Sequence, residues 1–238
     1  MSESKVAVVL GAGPGLGAAV AERFAGAGFA VALLARKVET LGPVQERVTK
    51  NGARAVSLPA DATSAGSIAA AFAEVRRQLG DPEVFVYNAG AFQPGSILDV
   101  APELFESCWR ANCLGAFLGA REVLPKMIER RRGTVLLTGA TASMRGGAGF
   151  SCLAVGKFGL RALAQSMARE LGSKGIHVAH VIIDGQIDTP RMRAIAPDRA
   201  KNTLLAPEAI AKVYLELHEQ DPSAWTLELD LRPAVEKF

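Results

Sequence analysis

The chain has 238 residues, 49% of them hydrophobic, and a formal net charge of +3 at pH 7. A chain of this length and composition buries a large core, and its three cysteines lack the spacing of a disulfide framework or a metal site, which excludes a mainly disordered protein and a disulfide-stapled one. Basic residues are scattered and no apolar stretch reaches the length of a bilayer span, so nucleic acids and membranes lack support as partners, and we expect a cytoplasmic protein.

Short β-rich runs alternate with amphipathic helices along the chain. The predicted strands lie at 5–10, 29–35, 53–58, 84–87, 134–138, 176–183 and 226–231. The predicted helices lie at about 18–25, 38–51, 64–79, 102–130, 151–173 and 207–217. This alternation predicts an α/β protein, a single Rossmann-type domain over residues 1–238 with a doubly wound, seven-stranded parallel sheet. Ligands of such sheets bind beyond the carboxyl ends of the strands.

A glycine-rich turn lies between the first predicted strand and the first helix. It contains Gly11, Gly13, Gly15, Leu16 and Gly17. Glycine permits positive φ and close backbone approach, and the N-terminus of the following helix offers free N–H groups to a pyrophosphate. Because tight turns use glycine anyway, it is the flanking strand and helix that make this turn a predicted dinucleotide site.

The end of the second strand distinguishes between the two nicotinamide cofactors. An NAD site has Asp or Glu there to bind the ribose hydroxyls, whereas this chain has Ala35-Arg36-Lys37. Arg36 offers a planar fork and Lys37 a point charge to a 2′-phosphate. Although Lys37 also suits a solvated helix start, the missing carboxylate predicts NADP (NADPH) as the cofactor.

Three further motifs follow in order: Asp61 after the third strand, Asn88-Ala89-Gly90 after the fourth, and Lys157 in a long helix. Together with the glycine turn, they make the chain similar to the short-chain dehydrogenase/reductase family over nearly its whole length. The resemblance implies that Asp61 contacts the adenine with Ala62 beside it, that the Asn-Ala-Gly turn supports the cofactor, and that Lys157 binds the nicotinamide ribose. Taken singly, Asp61 equally suits helix capping, and the Asn-Ala-Gly segment an ordinary turn.

The same resemblance assigns roles to three residues near the expected reaction centre. It implies that Asn112 holds a water in a proton relay, and that the backbone of Ile187 and the hydroxyl of Thr189 meet the nicotinamide carboxamide. A buried asparagine in mid-helix needs partners, so Asn112 by itself predicts a polar network. Asp184 stands where the family usually has a proline. We expect residues 188–206 to form a substrate lid.

Two residues of the family's reaction centre are absent. The family has a tyrosine one helical turn before its lysine, whose cation lowers the phenol pKa, and a serine earlier in the chain. These places hold Leu153 and Ala140, neither of which can donate a proton. Thr141 or Ser143 could hydrogen-bond a substrate oxygen instead, although a hydrogen bond to the loop backbone is the simpler role for each.

Two functions remain open at this stage. One is an NADP-dependent oxidoreductase that transfers hydride to an activated carbonyl, enone or imine-like small molecule, with a non-standard proton relay built from Lys157, Asn112 and water or a nearby hydroxyl. The other is a catalytically inactive NADP-binding sensor or scaffold, because Lys157 also binds ribose. The resemblance implies a homodimer or homotetramer that pairs through the helices at 102–130 and 151–173.

Overall fold

The computed structural model describes residues 5–50 and 52–236, so the outermost ends of the predicted domain and the predicted helix end at Asn51 lie outside the described residues. The strands are β1 (Val6–Leu10), β2 (Ala30–Ala35), β3 (Ala55–Pro59), β4 (Val84–Tyr87), β5 (Gly133–Thr138), β6 (Ile176–Ile183), β7 (Gln186–Ile187), β8 (Leu204–Leu205) and β9 (Glu228–Leu231). The α-helices are α1 (Leu16–Gly26), α2 (Gly42–Thr49), α3 (Ala65–Gln78), α4 (Pro102–Trp109), α5 (Gly115–Arg130), α6 (Ser151–Leu171), α7 (Pro190–Ile195) and α8 (Pro207–His218).

Seven strands form one parallel sheet in the order β3-β2-β1-β4-β5-β6-β9. This confirms the predicted fold class. Strands β1, β4, β5 and β6 are buried along their whole length, as expected when helices cover both faces of a parallel sheet. The strand order reverses between β1 and β4, and the crevice at such a switch point is where ligands of open α/β sheets bind.

Two hydrophobic clusters hold the helices against the sheet. One lies under α3, α5 and α6 and includes Phe72, Phe85 and Met127. The other lies under α1, α2 and α8 and includes Phe24 and Tyr214. Apolar packing therefore covers both faces of the sheet, so a ligand has access only at the ends of the strands.

The predicted helix at 38–51 is wrong in its first part. Residues Val38–Leu41 form a 3₁₀ turn, and α2 starts only at Gly42. Pro43 explains the break, because proline lacks an N–H and its fixed φ suits the first turn of a new helix. The two-residue strands β7 and β8, which pair with each other in parallel, were not predicted, since two residues carry no periodic signal.

The predicted long helix at 102–130 is interrupted in the middle. Residues Arg110–Leu114 form a π-helical turn between α4 and α5. None of the helices in the described ranges is both long and apolar enough to cross a membrane.

Candidate active site

Close packing requires glycine at two places in the turn between β1 and α1. A Cβ built on Gly11, whose φ is +99°, would lie 2.4 Å from the backbone nitrogen of Ala89, and one built on Gly17 would lie 2.2 Å from the carbonyl oxygen of Gly11. Gly13 differs, because open space surrounds its Cβ direction and the residue lines a cavity. The turn therefore presents bare backbone, next to the N-terminus of α1 at Leu16, to a ligand phosphate.

A cavity of about 300 Å³, here called the polar cavity, opens beside this turn at the carboxyl ends of β1 to β4. Its lining residues are Leu10, Gly11, Gly13, Ala35, Arg36, Ala60, Asp61, Ala62, Thr63, Asn88, Ala89, Gly90, Ala91, Ser107 and Ala111. Most residues predicted for the adenine side of a dinucleotide thus lie together.

The Asp61 carboxylate is held in a fixed position in the polar cavity. Its Oδ1 accepts hydrogen bonds of 2.8 Å from both the backbone nitrogen and the hydroxyl of Thr63. The backbone hydrogen bond from Thr63, with smaller help from that hydroxyl and from the charge of Arg36, keeps the pKa of Asp61 below its ordinary value. Asp61 is therefore an ionised acceptor near neutral pH.

Arg36 and Lys37 differ in where they lie. Arg36 lines the polar cavity and has no side-chain hydrogen bond or ion pair within the described residues. Lys37 is exposed outside the cavity, and its carbonyl oxygen accepts hydrogen bonds from Thr40 at the start of the 3₁₀ turn. Of the two basic residues predicted to bind a 2′-phosphate, Arg36 therefore lies at the cavity and Lys37 lies outside it.

The segment after β4 is tied to the glycine turn. Nδ2 of Asn88 donates a 2.9 Å hydrogen bond to the carbonyl oxygen of Gly11, and the backbone of Ala89 packs directly against Gly11. A Cβ built on Gly90 would lie 3.0 Å from Oδ1 of Asn112 and 3.7 Å from Nζ of Lys157. Two distant parts of the chain therefore converge on Gly90.

Asn112 lies within the π-helical turn, fully buried. A π turn shifts the helical hydrogen bonds by one residue, so some carbonyl oxygens lose their α-helical partners. Nδ2 of Asn112 donates to the carbonyl oxygen of Cys108 at 2.9 Å, and the Tyr87 hydroxyl donates to the carbonyl oxygen of Ala111 at 2.6 Å. Asn112 also exchanges hydrogen bonds with both backbone groups of Ala91. The predicted polar network around Asn112 is present.

Lys157 projects from α6 toward the end of β5. Its Nζ donates a 2.7 Å hydrogen bond to the carbonyl oxygen of Thr138, and the residue is only 6% exposed. Burial lowers the pKa of Lys157 to about 8. An ammonium has three N–H donors, and within the described residues only the bond to Thr138 uses one, so the others are available to a ligand.

A second cavity, of about 510 Å³, opens one helical turn before Lys157, and we call it the apolar cavity. Its lining residues are Phe92, Ala140, Thr141, Ala142, Arg145, Gly146, Gly147, Phe150, Leu153, Ile183, Gly185, Gln186 and Met192. The rings of Phe92 and Phe150 pack against each other with centroids 5.1 Å apart. Leu153 and Ala140 thus face one apolar space.

Thr141 and Ser143 occupy different positions in the 3₁₀ turn after β5. Thr141 lines the apolar cavity, and its hydroxyl donates a 2.5 Å hydrogen bond to Asp184. Ser143 is fully buried behind the turn, where its Oγ accepts the Ala140 N–H at 3.1 Å and lies 3.3 Å from Nε2 of His180. The structure therefore places Thr141 at the cavity and Ser143 behind the turn, where Ser143 makes the hydrogen bond to the loop backbone that was the simpler of its two expected roles.

Ile187 and Thr189 belong to the segment that follows β6. Ile187 pairs with Leu205 in the small β7–β8 sheet, and Thr189 caps α7 by accepting the backbone N–H of Met192 at 3.2 Å. A Cβ built on Gly15 would lie 2.7 Å from the methyl carbon of Thr189. This contact brings the segment against the glycine turn.

Sequence reasoning missed several residues around the apolar cavity. Phe92 lies just beyond the Asn-Ala-Gly turn, so its position after a strand end was the available signal. Arg145 follows the 3₁₀ turn in a glycine-rich loop, which carries no periodic pattern. His180 is buried beside Ser143, and burial lowers the pKa of His180 to about 4, so its ring is neutral at pH 7.

The chain resembles known proteins over nearly all of its length. A family model described as short chain dehydrogenase matches residues 5–200. Versicolorin reductase 1 of Aspergillus parasiticus is 32% identical over 202 residues, which cover 84% of this chain and 76% of that protein.

Two solved structures are also similar. A short-chain dehydrogenase from Rhodopseudomonas palustris is 37% identical, with a TM-score of 0.84 over 98% of this chain and 100% of that one. A metagenomic short-chain oxidoreductase in complex with NADP is 28% identical, with a TM-score of 0.85 over 99% of this chain and 100% of that one.

Proposed function

This chain belongs to the short-chain dehydrogenase family and is a nicotinamide-dependent oxidoreductase, and from that premise we propose that it is an NADPH-dependent reductase of small apolar molecules. Its substrates carry an activated acceptor: a conjugated enone, an imine or iminium, or an activated carbonyl. The observation that carries the proposal is the contrast at α6, where a buried lysine remains and a leucine stands one turn before it.

The residues around the glycine turn fit a nicotinamide dinucleotide. The bare backbone at Gly13, the ionised Asp61 and the cavity-lining Arg36 suit a pyrophosphate, an adenine and a 2′-phosphate, respectively. Lys157, Ile187 and Thr189 would hold the nicotinamide half. The metagenomic relative described with NADP supports the choice of the phosphorylated cofactor. When bound, such a cofactor supplies hydride to the substrate.

Proton delivery falls to Lys157 and its surroundings. A proton donor works best when its pKa lies close to the working pH, and burial brings the pKa of Lys157 to about 8. Asn112 is fixed by three hydrogen bonds and converges with Lys157 on Gly90, where the two side chains would hold a water. Thr141 is the hydroxyl that borders the apolar cavity. Its one proton is donated to Asp184, so its oxygen can accept from the N–H of an iminium but has no proton for a carbonyl oxygen.

The absence of a phenol and a serine at the apolar cavity limits the substrate. A positioned acid contributes roughly 10²–10⁴-fold to the rate and an oxyanion donor about 10²–10³-fold. A simple ketone needs both contributions, whereas an enone or an iminium accepts hydride with less help. An iminium needs no proton at all, because hydride addition to C=N⁺ gives a neutral amine. Leu153 and Ala140 therefore favour activated acceptors.

Two further features complete the proposal. Residues 188–206, which contain α7 and the strand β8, serve as the lid over the substrate, with Met192 reaching the apolar cavity.

Exposed aromatic side chains on the long helical regions, Trp109, Phe117 and Phe158, support a homodimer or homotetramer. The alternative of an inactive sensor gains nothing from the relatives, which are named for reductases and dehydrogenases.

The test is a comparison of acceptors with the purified protein and NADPH. We expect oxidation of NADPH with 2-cyclohexenone and with a cyclic iminium salt, and much slower oxidation with cyclohexanone. Replacing Leu153 with Tyr and Ala140 with Ser together should raise the rate with cyclohexanone selectively, whereas Leu153→Phe should not. Tight NADPH binding without turnover of any acceptor would refute the proposed reaction.

A further inference from the structure

The apolar cavity has one charged residue in its lining, within the described part of the chain. Of the side chains that line it, Thr141 donates to Asp184 and Gln186 accepts from Arg199. Arg145 is the one charged lining residue in the described part of the chain, and its guanidinium has no hydrogen bond, ion pair or ring contact there. The cavity is otherwise built from aromatic, aliphatic and glycine residues.

The position of Arg145 is set by a well-anchored loop. Its backbone nitrogen donates to the carbonyl oxygen of Thr141 at 3.2 Å, which fixes it at the end of the 3₁₀ turn. Further along, the carbonyl oxygen of Gly149 accepts a 3.0 Å hydrogen bond from the backbone nitrogen of Gly95. A Cβ built on Gly147 would lie 3.6 Å from Cδ2 of the Phe150 ring. Gly146 and Gly147 have no side chains to fill the cavity next to Arg145, so the arginine borders an open apolar space.

The nearby negative charge does not compete with a ligand for Arg145. Asp184 accepts the Thr141 hydroxyl through one oxygen, and its other oxygen lies 3.8 Å from Nη1 of Arg232. Its carboxylate is therefore turned to its own partners and is absent from the cavity lining. Within the described residues, the guanidinium of Arg145 therefore has no carboxylate partner at the edge of the cavity.

From this arrangement we infer that the substrate is an apolar, ring-sized molecule that carries an anionic group, which Arg145 binds. A planar guanidinium matches a carboxylate or a phosphate with two parallel hydrogen bonds. The volume of about 510 Å³ and the two facing phenylalanines suit a fused aromatic or similar ring. The inference rests on the proposed function for the meaning of the cavity, and it names the substrate class and Arg145 as its specificity residue.

The experiment measures binding, so it does not depend on turnover. Isothermal titration of the NADP-loaded protein compares 2-naphthoate with its neutral analogue 2-naphthamide. We expect the naphthoate to bind roughly 5- to 10-fold more tightly, because that is the gain that a charged hydrogen bond to an exposed arginine provides. Arg145→Gln should bring the two affinities within about twofold, and Arg145→Lys should keep part of the preference. Arg23→Gln is the matched control, because Arg23 is an exposed arginine on α1 outside the cavity.

The outcomes separate this inference from the proposed function. Equal binding of the two probes by the unmodified protein, binding of neither, or a preference that survives Arg145→Gln would each overturn the inference. A preference for naphthoate that Arg145→Gln abolishes supports it, even if no acceptor is ever reduced. Adding 2-naphthyl phosphate to the same titration shows whether the preferred anion is a carboxylate or a phosphate. A melting curve of Arg145→Gln checks that the exposed substitution leaves the fold intact.

Discussion

The polar and apolar cavities lie at the same edge of the sheet, but their walls are made differently. One side of the polar cavity is the backbone of the glycine turn, where Gly11 leaves no room for a Cβ. Side chains that end in open space form the wall of the apolar cavity, as Leu153 and Phe150 do. A wall of backbone resists substitution, whereas a wall of side chains accepts it without disturbing the sheet. The contrast explains how Leu153 and Ala140 can line the apolar cavity while the glycine turn stays closely packed.

The strongest way to break this comparison is to remove the side chain of Lys157, which lies near Gly90 of the polar cavity and one helical turn after Leu153 of the apolar cavity. Replacing Lys157 with Met should lower kcat/KM for an enone by roughly 10²–10⁴-fold, because the buried ammonium is the proposed proton donor. Steady-state kinetics measure the loss, and fluorescence titration of NADPH separates it from weaker cofactor binding. Lys126→Met is the control, since Lys126 is an exposed lysine paired with Glu129. A rate unchanged in Lys157→Met would assign the proton to another group.

Arg36 tests whether the polar cavity selects the phosphorylated cofactor. Replacing Arg36 with Asp should weaken NADPH binding by about 10–100-fold, because a charge-assisted hydrogen bond is lost and a repulsive charge is gained. The affinity for NADH should change little or improve. Titrations of both cofactors give the ratio, and Lys37→Asp, which lies outside the cavity, is expected to have the smaller effect. Equal losses for the two cofactors would contradict the NADPH assignment.

The glycines of α1 test whether close packing dictates glycine next to the polar cavity. Gly17→Ala should cost about 1–3 kcal/mol of unfolding free energy or more, because the added Cβ would meet the carbonyl oxygen of Gly11 at 2.2 Å. Gly26 lies in the same helix with open space around its Cβ direction, so Gly26→Ala should be neutral or stabilising. Chemical denaturation measures both. Similar costs at the two positions would mean that packing does not dictate glycine at residue 17.

A pH profile gives the smallest of these effects. Burial lowers the pKa of Lys157 to about 8, so the protonated donor predominates below that pH and is lost above it. With saturating NADPH, kcat/KM for an enone should fall about tenfold per pH unit above that pKa. An iminium substrate needs no proton, so its profile should lack this fall. If both substrates show the same profile, the titrating group affects something other than proton delivery.

Strong periodic patterns made much of the fold predictable from the sequence. The strands at 84–87 and 176–183 coincide with β4 and β6, because continuous apolar runs leave little choice of element. The π-helical turn at Arg110–Leu114 was not predictable in this way. The carbonyl oxygen of Ala111 in this turn accepts a hydrogen bond from the Tyr87 hydroxyl, and the periodic pattern of the helix does not show a contact with a strand so distant in sequence.

The candidate site divides in the same manner. Gly11, Asp61 and Asn88 were predicted to lie at one edge of the sheet because each follows a strand end, and all three line the polar cavity. Which of the two basic residues enters the polar cavity depends on the turn after β2, and the sequence shows only that Arg36 and Lys37 are neighbours. The sequence offers Thr141 and Ser143 equally as hydroxyls for a substrate oxygen, because it does not show that the 3₁₀ turn points the Ser143 hydroxyl toward His180.

The protein's two tyrosines make it a convenient host for optical spectroscopy. Tyr87 donates to the backbone in the helix interior, Tyr214 shares a 2.8 Å hydrogen bond with Thr138, and burial raises the pKa of both well above the ordinary value. Neither native phenol therefore ionises in the range where enzymes are assayed. A tyrosine introduced at residue 153 would be the one phenol to ionise there, and its ultraviolet difference absorbance would report the charge of its neighbour Lys157 without any substrate.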